Sequence, residues 1–183
     1  MRCAGIDPGI SGAATLLVSD GRARLPSLIC VDIPTTGCKA DKDVDIDFRG
    51  LRDLLRDWKP DFLYLENVHA FVGQGVVAAG KLMRAVGIIE AIAACEVDEC
   101  RLVTPKKWKT KFGLLHTDKN AGRQMVMRLF PRSAHLFERV KDHNRADSAL
   151  IALYGADRCD MVDLAGMQAC SPLSTQLPQQ KST

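Results

Sequence analysis

Two apolar runs of this chain each close on a carboxylate: Arg2-Cys3-Ala4-Gly5-Ile6 leads into Asp7, and Phe62-Leu63-Tyr64-Leu65 leads into Glu66. A short continuous apolar run reads as a strand covered on both faces. An ionised acid in such surroundings is costly unless it is paired or coordinated. The fold must therefore bury these strands between layers and supply a partner for the acids at their ends. With 183 residues, 46% hydrophobic and 26% charged, the chain suits one globular domain large enough for that.

The elements follow in order. Pro8-Gly9 and Ser11-Gly12 turn the first strand back into a second at residues 13–18, and Ser19-Asp20-Gly21 leads to a third near 28–33. This start is an antiparallel meander. From Asp43 the spacing turns helical, with Ile46, Leu51, Leu54, Leu55 and Trp58 on one stripe until Pro60. The run at 62–66 then reads as a parallel strand reached by a helical crossover. A long helix of small residues spans 76–95, a strand covers 100–103, and Thr104-Pro105 ends it. A helix is expected from a Thr117 N-cap to Phe130, and a last one from about Asp142 to Asp157. Strands first, then alternating helix and strand, then helices, predict an α/β fold: a mixed five-stranded sheet with helices on both faces. The expected domain is 1–160, and 161–183, rich in Ser, Thr, Gln and Pro, is expected to be a disordered tail.

The net charge is only +3, so a polyanion would need a local basic patch. Lys106, Lys107, Lys109, Lys111, Lys119 and Arg123 supply one, with Trp108 and Phe112 interleaved; Trp108 reads as core rather than as a base-stacking platform. Seven scattered cysteines without a CxxC pair favour reduced thiols over disulfides or structural zinc. Lys81, Arg84 and Glu90 interrupt the longest apolar stretch, and the start lacks the features of a signal peptide, so a cytoplasmic protein without a membrane span is expected.

The acids carry the chemistry. Asp7, Glu66 and Asp147 are each embedded in apolar sequence, and a divalent cation is the partner that suits several carboxylates at once. On a helix, His143 and Asn144 lie four and three residues before Asp147 and share its face, whereas Asp142 is rotated away. His143 is the favoured fourth contact and Asp142 the reserve. A histidine there either accepts a softer ion such as Mn²⁺ or orients an attacking water.

Gly5-Ile6-Asp7-Pro8-Gly9, Leu65-Glu66-Asn67-Val68-His69, Gly73-Gln74-Gly75, residues 103–109 and Arg145-Ala146-Asp147-Ser148-Ala149-Leu150 resemble, in that order, the RuvC family of Holliday-junction resolvases, most of all its bacteriophage-type members. The resemblance runs from Met1 to about Tyr154. It implies a ribonuclease-H-like fold, two Mg²⁺ or Mn²⁺ ions per site, and a homodimer that cuts two strands of a four-way DNA junction by phosphodiester hydrolysis, leaving 5′ phosphates, within the nucleoid. Asp7, Glu66 and Asp147 fall on the family's metal carboxylates. The fourth position falls at His143 or Asn144, where many members carry Asp. Lys109 and Lys119 fall on basic positions near the scissile phosphate; Lys119 would stabilise the transition-state charge. Lys106, Lys107, Lys109, Lys111 and Lys119 would contact DNA phosphates. His69 and Phe71 would stack on unpaired bases, with a loop tucked against the fold as the other reading of Phe71.

Two other functions fit parts of the sequence. A branched-DNA binding module would keep the fold with an incomplete metal site. The Gly5–Gly12 stretch also resembles the first phosphate loop of actin-like kinases and ATPases, although the second domain and second Asp-Gly loop of those proteins are missing here. No small-molecule substrate is expected.

Overall fold

The computed structural model describes residues 1–21, 25–37, 44–70 and 73–165, apart from the side chain of Lys119. Strands β1 (Arg2–Asp7), β2 (Ala13–Val18) and β3 (Ser27–Asp32) form the expected meander. A two-stranded ribbon, β4 (Thr35–Thr36) and β5 (Asp45–Ile46), precedes helix α1 (Phe48–Trp58). Then come β6 (Phe62–Glu66), α2 (Val76–Glu96), β7 (Cys100–Val103), α3 (Pro105–Lys111), α4 (Lys119–Leu129) and α5 (His143–Arg158), with short 3₁₀ turns at Pro131–Phe137 and Val140–Asp142. The main sheet has the order β3-β2-β1-β6-β7, and β6 and β7 run parallel to β1. This is the five-stranded mixed sheet that the order of elements predicts.

Strand periodicity assigns the two faces. Ala4, Ile6, Leu63 and Leu65 face Leu51 and Leu55 of α1 and Ile89 and Ala93 of α2. Cys3, Tyr64 and Val103 face the other way, onto Trp108, Ala149, Ala152 and Leu153. Alternation therefore places Gly5, Asp7 and Glu66 on the α5 side. Gly5 is required there: a Cβ on it would stand 2.2 Å from the Ala152 nitrogen and 2.5 Å from the Ser148 carbonyl oxygen. Helix α5 thus lies against the backbone of β1, and polar contacts fix it. The Thr15 and Ser148 hydroxyls meet at 2.7 Å, and Arg145 Nε donates to Asp32 at 2.7 Å.

Several boundaries differ from expectation. Helix α1 begins at Phe48, where Asp47 accepts from the Arg49 and Gly50 amides, and Ile46 is buried from the β5 strand instead of from the helix. The cap of α4 is Asp118, which accepts from the Asn120 amide, while the Thr117 hydroxyl donates to the Leu114 carbonyl. The packed region also extends past residue 160, since Val162 and Leu164 are buried in the α5-side core; most of the expected tail, 166–183, lies outside the described residues. Cys3, Cys30, Cys95, Cys100 and Cys159 are free thiols, and Cys38 and Cys170 lie outside the described residues. Among the described residues no helix is long and apolar enough to cross a membrane.

Candidate active site

The parallel register of β1 and β6 pairs Ile6 with Leu65, so the next residues of the two strands, Asp7 and Glu66, stand side by side. Both point toward α5, which carries Asp147. A cleft of about 230 Å³ opens there, lined by Asp7 and Asp147 together with Lys109, Asp118, His143 and Asn144. Glu66, beside Asp7, is 7% exposed and does not itself line the cleft.

Burial dominates the electrostatics of the two strand-end acids. Burial, and then the charges of Glu66 and Asp147, hold the Asp7 carboxyl well above the ordinary carboxylate range, with Lys109 pulling the other way. Burial also raises Glu66, opposed by the Trp108 hydrogen bond, by Lys109 and by a hydrogen bond with Asp7. Burial and the neighbouring acids therefore disfavour the charged form of Asp7, a cost that a cation would offset. Among the described residues no three Asp, Glu, His or Cys side chains form a finished metal cage. The donors nevertheless fit a hard divalent ion: adjacent carboxyls with uncompensated charge and a third acid across the cleft.

The candidates for the fourth position separate clearly. Asp142 is buried, but the Arg139 guanidinium grips it, with Nη2 at 2.8 Å from Oδ1 and Nε at 3.1 Å from both oxygens. Burial acts to raise its carboxyl, yet these bonds win and hold it below the ordinary range. Asp142 is consumed structurally and does not line the cleft, which removes it as the reserve ligand. His143 and Asn144 both line the cleft. His143 Nδ1 lies 3.3 Å from the Val140 carbonyl; donating there leaves Nε2 as an acceptor. Asn144 Nδ2 donates to the Ser11 carbonyl at 2.7 Å, tying α5 to the β1–β2 turn and leaving its amide oxygen as the remaining acceptor.

The lysines also divide. Lys109 lines the cleft, and its ammonium stands 5.1 Å from the centre of the Trp108 ring. Lys106 and Lys107 are exposed on α3. Lys111 instead pairs with Asp157 at 2.8 Å, tying α3 to α5, so it is engaged as a strut where a phosphate contact was expected. Lys119 is the first residue of α4, directly after the Asp118 cap, and its side chain lies outside the described residues. His69 is exposed in the loop after β6, and Phe71 lies outside the described residues.

Sequence reasoning missed two members of the site. Asp118 lines the cleft while capping α4, a dual placement that an Asp just before a lysine-led helix could have signalled. Trp108, read as core, is fully buried but also donates its indole N–H to Glu66 Oε1 at 2.8 Å. Nothing local in the sequence joins residues so far apart.

A mixed sheet that brings two strand-end acids under a helical third defines a ribonuclease-H-like fold, and solved structures share it. Thermus thermophilus RuvC in complex with Holliday junction substrate superposes with a TM-score of 0.61, 21% identity, and coverage of 88% of this chain and 96% of that one. The fowlpox virus Holliday junction resolvase gives 0.57, 15% identity, and 87% and 99% coverage. No family model matches the sequence. Among curated proteins, the crossover junction endodeoxyribonuclease RuvC of Mycolicibacterium smegmatis is 25% identical over 167 residues, 88% of this chain and 86% of the relative. The chain is RuvC-like in both sequence and fold.

Proposed function

We propose that this chain is a divalent-metal-dependent endonuclease that resolves four-way DNA junctions as a homodimer. The carrying observation is the adjacent pair of partly buried Asp7 and buried Glu66, opposite Asp147 and with Lys109 of α3 beside it. The names of its relatives give the same substrate. Asp7, Glu66 and Asp147 would hold two Mg²⁺ or Mn²⁺ ions, with the fourth contact from His143 or Asn144. When bound, the metal supplies an activated water and neutralises charge on the phosphate.

The chain's own groups do the rest. Asp7 would hold the metal as the ionised carboxylate, so metal binding would favour loss of its proton. Lys109 places a fixed positive charge beside the attacked phosphate, and Lys119 at the start of α4 adds a second. His143, through Nε2, orients the water or takes its proton. The new bond joins water oxygen to phosphorus, and the P–O3′ bond breaks, leaving a 5′ phosphate and a 3′ hydroxyl. Lys106 and Lys107 engage neighbouring phosphates, so affinity falls with salt but carries no sequence preference. His69 and Phe71 stack on bases at the branch. Such a substrate places the protein at the nucleoid.

The outer face of α2 supports the dimer. Gly80 and Gly87 have open space where a side chain would stand, and Val76 and Val77 are 88% and 76% exposed. Packing within the chain does not require these residues to be small or apolar; a second helix laid across them would.

A synthetic four-way junction incubated with the protein tests the reading. Paired cuts in Mg²⁺, absent with chelator and absent in Asp7→Asn while binding persists, are the expected result. Binding without cutting by the wild type in both Mg²⁺ and Mn²⁺ would establish the DNA-binding module instead.

A further inference from the structure

We infer that Trp108 is a positioning residue for the metal site: its indole N–H orients the Glu66 carboxylate for a divalent cation, and its ring seats Lys109 beside the same acids. The inference rests on the metal site proposed above and adds a residue that touches neither metal nor DNA. Trp108 is fully buried on α3, and Nε1 reaches Glu66 Oε1 at 2.8 Å. An indole nitrogen can only donate, so the bond fixes one carboxylate oxygen as its acceptor. The scaffold beneath this contact is rigid. Glu66 is in register with Val103 at the end of β7, the Asn67 amide donates to the Val103 carbonyl at 2.8 Å, and α3 starts two residues later.

Core filling alone does not account for the residue. Phe112, Leu114 and Phe137 fill the same cluster without a polar group, whereas an indole buried there without its carboxylate would leave an unpaired N–H. Lys109 Nζ also lies 5.1 Å from the ring centre, within cation–π range. One side chain thus sets the orientation of an acid and the location of a cation.

Trp108→Phe removes the N–H and keeps a ring in the core and beneath Lys109. Partners that orient metal ligands typically contribute about 10–100-fold to metal affinity. Mn²⁺ binding to the DNA-free variant, followed by electron paramagnetic resonance, should therefore weaken by about tenfold or more. The metal concentration for half-maximal cleavage should rise in step, with the rate at saturating metal largely restored. A purely structural tryptophan would lower the melting temperature and leave Mn²⁺ affinity unchanged, which would overturn the inference.

Should the variant fail to fold, the wild type answers directly. The Trp108 indole ¹⁵N–¹H resonance, distinguished from that of Trp58 by Trp58→Phe, should shift on Mg²⁺ addition and stay fixed in Asp7→Asn. A resonance that ignores Mg²⁺ overturns the inference. The two readings fail differently: no Mg²⁺ binding by the wild type removes both, whereas Asp7-dependent binding that Trp108→Phe leaves intact removes only the role of Trp108.

Discussion

Gly5→Ala places one methyl group between β1 and α5. Its carbon would lie 2.2 Å from the Ala152 nitrogen, and reaching ordinary contact at 3.4 Å requires the helix to retreat by about 1.2 Å. Both obstructing groups are backbone, so no side-chain rotation relieves the clash. Overpacking of this kind costs about 1–3 kcal/mol. At about 2–4 °C per kcal/mol for a domain of this size, the melting temperature should fall by roughly 2–12 °C. Function should suffer more than stability. Ser148, whose carbonyl is the second obstruction, directly follows Asp147, so the retreat draws that carboxylate away from Asp7 and Glu66. A misplacement near 1 Å is worth roughly 100-fold in rate. Single-turnover cleavage of a four-way junction, at saturating protein and a temperature where the variant is folded, measures it. Wild-type melting and a wild-type rate together would refute the claim that close approach of α5 to β1 sets the site.

Other consequences can be read from the same contacts. Because the folded Asp7 pKa lies above its unfolded value of 3.8, the folded chain binds that proton more tightly, and metal-free stability should fall as pH rises from that value through the raised one. Mg²⁺ should then raise the melting temperature more at neutral than at mildly acid pH, and Asp7→Asn should raise the metal-free melting temperature at neutral pH while reducing cleavage by more than about 100-fold. Equal Mg²⁺ effects at both pH values would contradict this. Asp142→Asn should cost about 1–3 kcal/mol by weakening the Arg139 fork, yet leave Mn²⁺ affinity unchanged, checked by thermal unfolding and metal titration. Gly87→Glu should yield monomers by light scattering, and a persisting dimer would place the interface elsewhere.

Much of this was legible because the signals are local. The apolar runs before Asp7 and Glu66 fix both strands and the ends at which their acids sit. Helical spacing separates Asp142 from the face of Asp147, and Arg139 then gives Asp142 a different occupation. Ile46 misled the start of α1 because it matches the helical stripe while pairing with Thr35 in the β4–β5 ribbon. Helix α3 is too short for periodicity to reveal, and its lysines look alike in sequence although one reaches the cleft and another pairs with Asp157. The hydrogen bond from Trp108 to Glu66 depends on the β6–β7 register, a tertiary fact that no spacing encodes.

The most direct test is the anomalous scattering of a crystal soaked in Mn²⁺. The account predicts strong density held by Asp7, Glu66 and Asp147, with His143 or Asn144 completing the shell and Asp142 still on Arg139. Manganese bound elsewhere, or these carboxylates left without it at saturating concentration, would contradict it.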